Sequence, residues 1–196
     1  MDVRTHYDLL IEENNDPYRD PPALRKHMEL WDGHIFLDLM ELNPSKTVLE
    51  IGIGTGRLAA KTAERCMHLT GIDISPKTIA RAQENLQNFS NISLICDDFT
   101  HYQFKEKFDV IYSSLTMMHF RDKKPVIDKM NTLLNHNGLL CLSIDKNQSE
   151  WIDMSTRKLR VYPDKPDKTI ALAKQGGLKT KEAIETENAF LLVFVK

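Results

Sequence analysis

Cysteine is rare in this sequence. The chain has only three cysteines, Cys66, Cys96 and Cys141, and they are scattered among apolar neighbours. An odd, dispersed set of this kind is unlike a disulfide framework or a zinc cluster. We therefore interpret the three cysteines as reduced residues of the core, and we expect no metal site.

The sequence also lacks an excess of either charge. It carries 26 basic and 28 acidic side chains, which gives a net charge of -2. Without a basic surplus, no long-range field attracts the chain to nucleic acid or to an anionic membrane. We expect neither nucleic acid nor membrane as a partner.

Long apolar runs are missing as well. No run approaches the roughly 20 residues of a membrane-spanning helix, and the first ten residues, MDVRTHYDLL, are charged where a signal peptide would be apolar. Internal repeats and low-complexity tracts are absent. A length of 196 residues suits one well-packed α/β domain and is too short for two ordinary ones. We expect a cytoplasmic protein, either a monomer or a homodimer.

Glycine is sparse, but three of the eight glycines stand in one stretch, TVLEIGIGTG at residues 47–56. The first part is apolar or β-branched, as in a strand covered on both faces, and residues 57–66 then show helical spacing. Glycine reaches positive φ and lets the backbone approach a ligand that a Cβ would push away. This strand, glycine turn and helix predict a site for a polar cofactor.

The spacing of the glycines separates two kinds of cofactor loop. A dinucleotide-binding loop, G-x-G-x-x-G, would need glycine at the position of Arg57. The pattern E-x-G-x-G-x-G, which begins at Glu50, instead resembles motif I of the class I S-adenosylmethionine-dependent methyltransferases. The resemblance implies that the cofactor is contacted by the motif residues Glu50, Gly52, Gly54, Thr55 and Gly56.

An acidic residue follows at the end of the next predicted strand, residues 69–74. Asp73 lies 21 residues beyond Gly52, and an acid about 20 residues past such a loop binds ribose hydroxyls. The alternative is a helix cap, although Ser75-Pro76 already offers a cap and an N1 proline. The stretch GIDIS resembles the second methyltransferase motif, which adds Ile74 to the predicted cofactor contacts.

The predicted third strand, residues 92–96, runs into Asp97-Asp98-Phe99. In the family that the chain resembles, the acid of a G-D-F sequence here approaches the adenine amine. The match implies this role for Asp98, with Phe99 beside the base. Asp97 stands where glycine is usual, so the choice between the two acids stays open, as does a solvated turn.

The fourth strand and the loop after it, FDVIYSSLTMMHF, resemble the fourth motif of small-molecule methyltransferases. The stretch lacks the Asn-Pro-Pro-aromatic and Pro-Cys signatures of nucleobase methylation. The resemblance implies a cofactor contact at Ser113 and a substrate contact at Met117. His119 is a candidate general base, because an unperturbed histidine titrates near pH 6.5. The alternative is that His119 packs beside Phe120 and caps the next turn.

Two helices are predicted before the first strand. One covers residues 3–14, and a longer apolar stripe runs from Leu24 to Met40 and is stopped by Asn43-Pro44. Small-molecule methyltransferases commonly place such helices over the cofactor, which makes Tyr7 a candidate cofactor contact and Trp31 a candidate lid residue. Packing of both side chains against the sheet is the alternative.

The second half of the chain predicts a helix over residues 122–136, stopped by Asn137-Gly138, and a strand over residues 139–144. An irregular excursion at residues 145–165 includes Tyr162, a candidate substrate contact. A helix over residues 166–175 then precedes two strands whose short connection allows only antiparallel pairing.

The resemblance implies a Rossmann-like class I methyltransferase fold, with a seven-stranded, mostly parallel sheet, helices on both faces and a C-terminal antiparallel hairpin. We expect one domain, residues 1–196, comprising a helical cover (1–44), a cofactor-binding core (45–144), the excursion (145–165) and a final helix with two strands (166–196).

The expected activity is methyl transfer from S-adenosylmethionine to an oxygen, nitrogen or sulfur atom of a small molecule, with S-adenosylhomocysteine as the product. The alternatives are a nicotinamide-dependent oxidoreductase, disfavoured by Arg57 and the hairpin, and a regulator that binds the cofactor without chemistry.

Overall fold

A seven-stranded sheet forms the centre of the computed structural model, which describes all 196 residues. Its strands are β1 (Thr47–Ile51), β2 (His68–Asp73), β3 (Ile92–Cys96), β4 (Phe108–Ser114), β5 (Leu134–Asp145), β8 (Lys179–Glu185) and β9 (Ala189–Val195). Two short strands outside this sheet, β6 (Trp151–Asp153) and β7 (Lys158–Arg160), pair as an antiparallel ribbon.

The order of the strands in the sheet is β3-β2-β1-β4-β5-β9-β8. The first five strands are parallel, while β9 is antiparallel to both β5 and β8. The predicted seven-stranded, mostly parallel sheet with a C-terminal antiparallel hairpin is therefore confirmed. The chain reverses its direction of progress across the sheet between β1 and β4, and ligands bind at such a switch point in open α/β sheets.

Seven helices surround the sheet: α1 (Val3–Glu12), α2 (Pro22–Asp32), α3 (His34–Leu39), α4 (Arg57–Ala63), α5 (Pro76–Asn85), α6 (Lys123–Leu133) and α7 (Pro166–Gln175). Three have a proline as their first residue, where the missing N–H costs nothing. A short 3₁₀ turn, Met117–His119, follows β4. None of the helices is long and apolar enough to span a membrane.

The two faces of the sheet carry separate cores because successive strand side chains point to opposite sides. Val48 packs in the core that contains residues of α3, α4 and α5. Its neighbour Leu49 packs in the other core, with residues of α6 and α7. Helices therefore cover both faces, as expected.

The predicted long second helix is broken at Gly33. This residue is extended, with φ -71° and ψ -156°, and it separates α2 from α3. A Cβ there would lie 2.7 Å from the carbonyl oxygen of Glu29. The apolar stripe continues through the break, so its periodicity alone predicts one continuous helix.

The predicted boundary between the sixth helix and the fifth strand is also wrong. The helix ends at Leu133, and β5 begins at Leu134, five residues before the predicted start. Leu134 is buried and pairs with Phe108, and the register then shifts between Phe108 and Val110. Asn137, with φ 61°, therefore lies in an irregularity of the strand rather than in a helix stop.

Candidate active site

A cavity of about 380 Å³ opens at the carboxyl ends of the parallel strands. It is lined by residues at the ends of β1, β2 and β4, in the loop after β3, and on α1 and α2. This is the sheet edge at which the switch point between β1 and β4 predicts a ligand.

The glycine turn forms part of the wall of this cavity. Gly52, Gly54 and Gly56 all have positive φ, at 75°, 56° and 94°. A Cβ at Gly52 would lie 2.2 Å from Thr116 Oγ1, and one at Gly56 would lie 2.7 Å from the Leu86 side chain, whereas one at Gly54 would meet nothing within 4 Å. Gly52 and Gly56 are therefore required by packing, while Gly54 leaves room for a ligand.

Asp73 connects the second strand to the glycine turn. Its Oδ2 accepts a hydrogen bond from Gly54 N at 3.0 Å, and its Oδ1 accepts one from Ser75 N at 3.0 Å. The cap of α5 is Ser75, whose Oγ accepts from Thr78 N. Asp73 and Ile74 both line the cavity, and burial raises the pKa of the Asp73 carboxyl.

Glu50 also lines the cavity, although only 3% of it is exposed. Its Oε2 accepts a hydrogen bond of 2.6 Å from the Tyr112 hydroxyl. Burial raises the pKa of Glu50 to about 8, so this carboxyl is largely protonated at neutral pH.

The three residues after β3 lie together in the wall of the cavity. Asp97 Oδ1 accepts from Asp98 N at 2.7 Å, while Asp98 Oδ1 accepts from the backbone and hydroxyl of Thr100 at 2.8 and 2.6 Å. Phe99 is buried against Phe104. Both acids border the cavity, so both remain candidates for an adenine contact.

Tyr7 and His119 meet at the cavity although 112 positions separate them in the chain. The Tyr7 hydroxyl lies 2.8 Å from His119 Nε2, and both residues line the cavity. Burial, with a smaller contribution from nearby His6 and Lys123, lowers the pKa of His119 to about 4. His119 is therefore neutral at physiological pH and a weaker base than an unperturbed histidine.

Several predicted site residues do not line the cavity. Gly56 is one of them, and it contributes to the turn through its positive φ. Its neighbour Thr55, in contrast, does line the cavity. Ser113 is buried and donates to the carbonyl of Ile51 at 3.0 Å. Met117 is 1% exposed and packs in the core.

Two further predicted residues of the substrate side also lie outside the cavity lining. The Trp31 indole donates to Asp145 Oδ1 at 3.2 Å and packs against the core. The backbone of Tyr162 donates to the carbonyl of Met118 at 2.7 Å.

Sequence reasoning missed an ion pair in the wall of the cavity. Asp32 Oδ2 accepts from Arg57 Nη2 and from Ser114 Oγ, both at 2.5 Å. All three residues line the cavity. The available signals were an acid within the apolar stripe of α2 and an arginine directly after the glycine turn, but nothing in the sequence joins them.

A family model described as "Methyltransferase domain" matches residues 42–188. The chain belongs to the methyltransferase family. This match confirms the resemblance to class I S-adenosylmethionine-dependent methyltransferases that motif I and the second motif carry.

Curated relatives of this methyltransferase match over part of their length. A malonyl-[acyl-carrier protein] O-methyltransferase of Ilyobacter polytropus is 29% identical over 104 residues, which is 52% of this chain and 39% of the relative. Nodulation protein S of Rhizobium tropici is 28% identical over 127 residues, which is 61% of this chain and 51% of the relative. The methyltransferase thus matches about two fifths to one half of these relatives.

Solved structures match the methyltransferase over nearly its whole length. The N-methyltransferase NodS of Bradyrhizobium japonicum, in complex with S-adenosylhomocysteine, has a TM-score of 0.77 and 22% identity and covers 100% of this chain and 99% of its own. Magnesium protoporphyrin IX methyltransferase of Synechocystis, with bound S-adenosylmethionine, has a TM-score of 0.79 and 18% identity over 99% of this chain and 95% of its own. At these identities the likeness shows a shared fold.

Proposed function

We propose that this methyltransferase transfers the methyl group of S-adenosylmethionine to an oxygen, nitrogen or sulfur atom of a small molecule. The observation that carries the proposal is the open space at Gly54, beside the carboxylate of Asp73. A backbone that approaches a ligand without a Cβ, next to an acid that can accept from a diol, suits the adenosyl part of this cofactor.

The residues of the cavity fit the cofactor further. A carboxylate has about four lone-pair positions, so Asp73 can accept from ribose hydroxyls while it keeps its bonds to Gly54 N and Ser75 N. Asp97 and Asp98 offer acceptor oxygens for an adenine amine. Phe99 supplies apolar surface to the same wall.

When bound, S-adenosylmethionine supplies a methyl group on a sulfonium sulfur, and a lone pair of the acceptor can attack the methyl carbon while the sulfur leaves as a thioether. The protein then has to position the acceptor and exclude water. Tyr7 on α1 and His119 after β4 line the cavity from two elements and are hydrogen-bonded to each other. We infer that they border the acceptor.

The tautomer of His119 decides what its second nitrogen can do. If Tyr7 donates to Nε2, Nδ1 carries the proton and can only donate to the acceptor. If Nε2 donates to Tyr7, Nδ1 has a free lone pair and can take a proton from the acceptor. Nδ1 is buried and has no partner in the protein, which supports a contact with a bound acceptor in one of these two forms.

The cavity also favours certain acceptors by size and charge. Its volume lies at the small end of the range for small-molecule sites. Four aspartates line it beside the largely protonated Glu50, whereas Arg57 is its only lysine or arginine, so an uncharged or cationic acceptor suits it better than a carboxylate. The relatives include both O- and N-methyltransferases by name, which leaves the accepting atom open.

Thermal unfolding with added ligands tests the proposed function. A ligand at about 100 times its Kd stabilises the native state by roughly 2.7 kcal/mol, and a chain of this size shifts by about 2 to 4 °C per kcal/mol. We expect S-adenosylhomocysteine to raise the Tm by several degrees and NADH to leave it unchanged. The opposite ranking would overturn the proposal.

Gly54→Val is the matched variant in the same experiment. A Cβ at this position meets no protein atom within 4 Å, so the variant should fold at the cost of the positive φ alone, about 1 to 3 kcal/mol. Because the valine fills the space for the cofactor, the ligand-induced Tm shift should disappear. A Gly54→Val protein that keeps the full shift would show that the cofactor lies elsewhere.

A further inference from the structure

The ion pair between Asp32 and Arg57 contains two buried polar atoms that have no hydrogen-bond partner. Asp32 Oδ2 accepts from both Arg57 Nη2 and Ser114 Oγ, whereas Asp32 Oδ1 and Arg57 Nη1 are buried and have no hydrogen-bond partner. The exposed fractions of the two side chains are 1% and 12%. Buried charged groups normally fill their hydrogen-bonding capacity, so these two atoms point to a missing partner.

The location of the pair indicates that the missing partner is a ligand of the cavity. Asp32 and Arg57 both line the cavity. Asp32 is the last residue of α2, where the helix dipole disfavours a carboxylate, and Arg57 is the first residue after the glycine turn. The wall of the cavity thus contains one acceptor oxygen and one donor nitrogen, from two paired residues, that no protein group satisfies.

A group that both donates and accepts would satisfy the two atoms together. Asp32 Oδ1 can accept from an ammonium, and Arg57 Nη1 can donate to a carboxylate. An α-amino acid in its zwitterionic form carries both groups on one carbon. The pair is therefore complementary to an α-amino-carboxylate.

The cofactor proposed above ends in such a group. Its ribose is assigned to Asp73, at the end of β2, and Asp32 is bound to Ser114, at the end of β4. The strand β1 lies between β2 and β4, so the two positions are separated by two strand spacings, or about 10 Å. A ligand with its ribose at Asp73 that extends across the glycine turn brings its other end to the ion pair.

We propose that Asp32 and Arg57 bind the α-amino-carboxylate end of the cofactor, with Asp32 Oδ1 accepting from the ammonium and Arg57 Nη1 donating to the carboxylate. The inference rests on the proposed function. Asp32 lies outside residues 42–188, which the family model matches, so the helical segment before the matched domain completes the site.

Calorimetric titration with two ligands tests this assignment. S-adenosylhomocysteine carries the amino-acid group, and 5′-methylthioadenosine has the same adenosine and sulfur without it. Asp32→Asn and Arg57→Gln should each weaken S-adenosylhomocysteine binding about tenfold or more, the effect of one hydrogen bond to a charged group. Binding of 5′-methylthioadenosine should change less than twofold.

Two control variants calibrate the comparison. Asp73→Asn, on the ribose side, should weaken both ligands by the same factor. Asp38→Asn removes an exposed partner of Arg65 and should change neither. If the variants at Asp32 and Arg57 weaken both ligands equally, or leave S-adenosylhomocysteine binding intact and lose only acceptor binding, the inference is overturned.

Removal of one member of a buried ion pair leaves an uncompensated charge that can unfold a protein. The double variant Asp32→Leu/Arg57→Met removes both charges and should fold, and it should lose the preference for S-adenosylhomocysteine over 5′-methylthioadenosine. A folded double variant that retains the preference would contradict the assignment. A wild-type protein that binds neither ligand would overturn the proposed function and this inference together.

Discussion

Burial changes the acid-base chemistry of His119. An isolated histidine titrates near pH 6.5, but the pKa of His119 is lowered to about 4 because the charged ring is poorly solvated. Its neighbours add to this effect, since His6 and Lys123 are basic. A group proposed to border the acceptor is thus kept neutral over the whole physiological range.

The depressed pKa of His119 predicts a loss of stability in acid. Between about pH 6.5 and pH 4 the unfolded chain binds a proton at this position and the folded chain does not, so the free energy of unfolding falls as the pH falls. We expect a contribution of about 2 kcal/mol to be lost by pH 4.5. Urea unfolding at several pH values measures it.

His119→Asn is the matched variant because asparagine is polar and does not titrate. Its free energy of unfolding should fall by about 2 kcal/mol less than that of the wild type over the same pH range. Equal acid sensitivity of the two proteins would show that His119 is not kept neutral by the fold.

Single residues differ in how far the sequence predicted them. The place of Asp73 and Gly54 at the cavity could be predicted because their spacing within one local motif determines their position. The pairing of Asp32 with Arg57 depends on how α2 packs against the glycine turn, which local spacing does not encode. The lowered pKa of His119 depends likewise on surrounding side chains that come from distant parts of the chain.

At the scale of elements, one lysine joins the excursion to the loop after β4. Lys123 Nζ donates to the carbonyls of Met117, Phe120 and Tyr162 at 2.9, 3.2 and 2.8 Å. It also forms an ion pair of 2.9 Å with buried Asp164. The segment that follows β5 is thereby attached beside the 3₁₀ turn that carries His119.

Lys123→Met should release this attachment. Removing the ammonium leaves the Asp164 carboxylate buried without its partner, which costs about 3 to 5 kcal/mol in comparable pairs. We expect faster proteolytic cleavage within residues 145–165 and a lower free energy of unfolding. Limited proteolysis and urea unfolding measure the two effects.

Lys124→Met is the control for this change. Lys124 is paired with Asp128 four residues along the same helix, and such helix-surface pairs contribute about 0.3 to 0.5 kcal/mol. The control should be cleaved at the wild-type rate. Equal cleavage of the two variants would refute the role assigned to Lys123.

The existence of most elements could be predicted from the sequence, because their apolar periods and caps are local. Two boundaries could not. The break at Gly33 depends on a turn that brings Asp32 to the cavity, and the early start of β5 depends on Leu134 pairing with Phe108. In both cases a tertiary contact overrides a local signal that favours helix.

At the scale of the whole molecule, β9 lies between β5 and β8 and its residues contribute to both cores. Phe194 is fully buried. Phe194→Ala should lower the free energy of unfolding by about 3 to 5 kcal/mol, the usual cost of such a truncation in a core. Urea unfolding, monitored by circular dichroism, measures the change.

Leu24→Ala is the control for this truncation, since Leu24 is 52% exposed. It should change the free energy of unfolding by less than about 0.5 kcal/mol. A similar loss in both variants would contradict a core that is centred on the sheet.

The overall architecture was predictable from the alternation of strands and helices and from the short final hairpin. The short turn between β8 and β9 requires an antiparallel pair. It does not determine which of the two strands pairs with β5, because either could bury its apolar side chains there. That choice follows from the resemblance to the methyltransferase family rather than from the hairpin sequence.

The interior position of β9 has a consequence for biosynthesis. A ribosome completes β5 and β8 before it has made residue 189, so the nascent sheet lacks the strand that joins them. Until then the edge of β5 that pairs with β9, residues 139–145, has unpaired backbone groups. Such an edge can pair with another nascent chain, and translation that stalls before β9 emerges would leave the chain prone to aggregation.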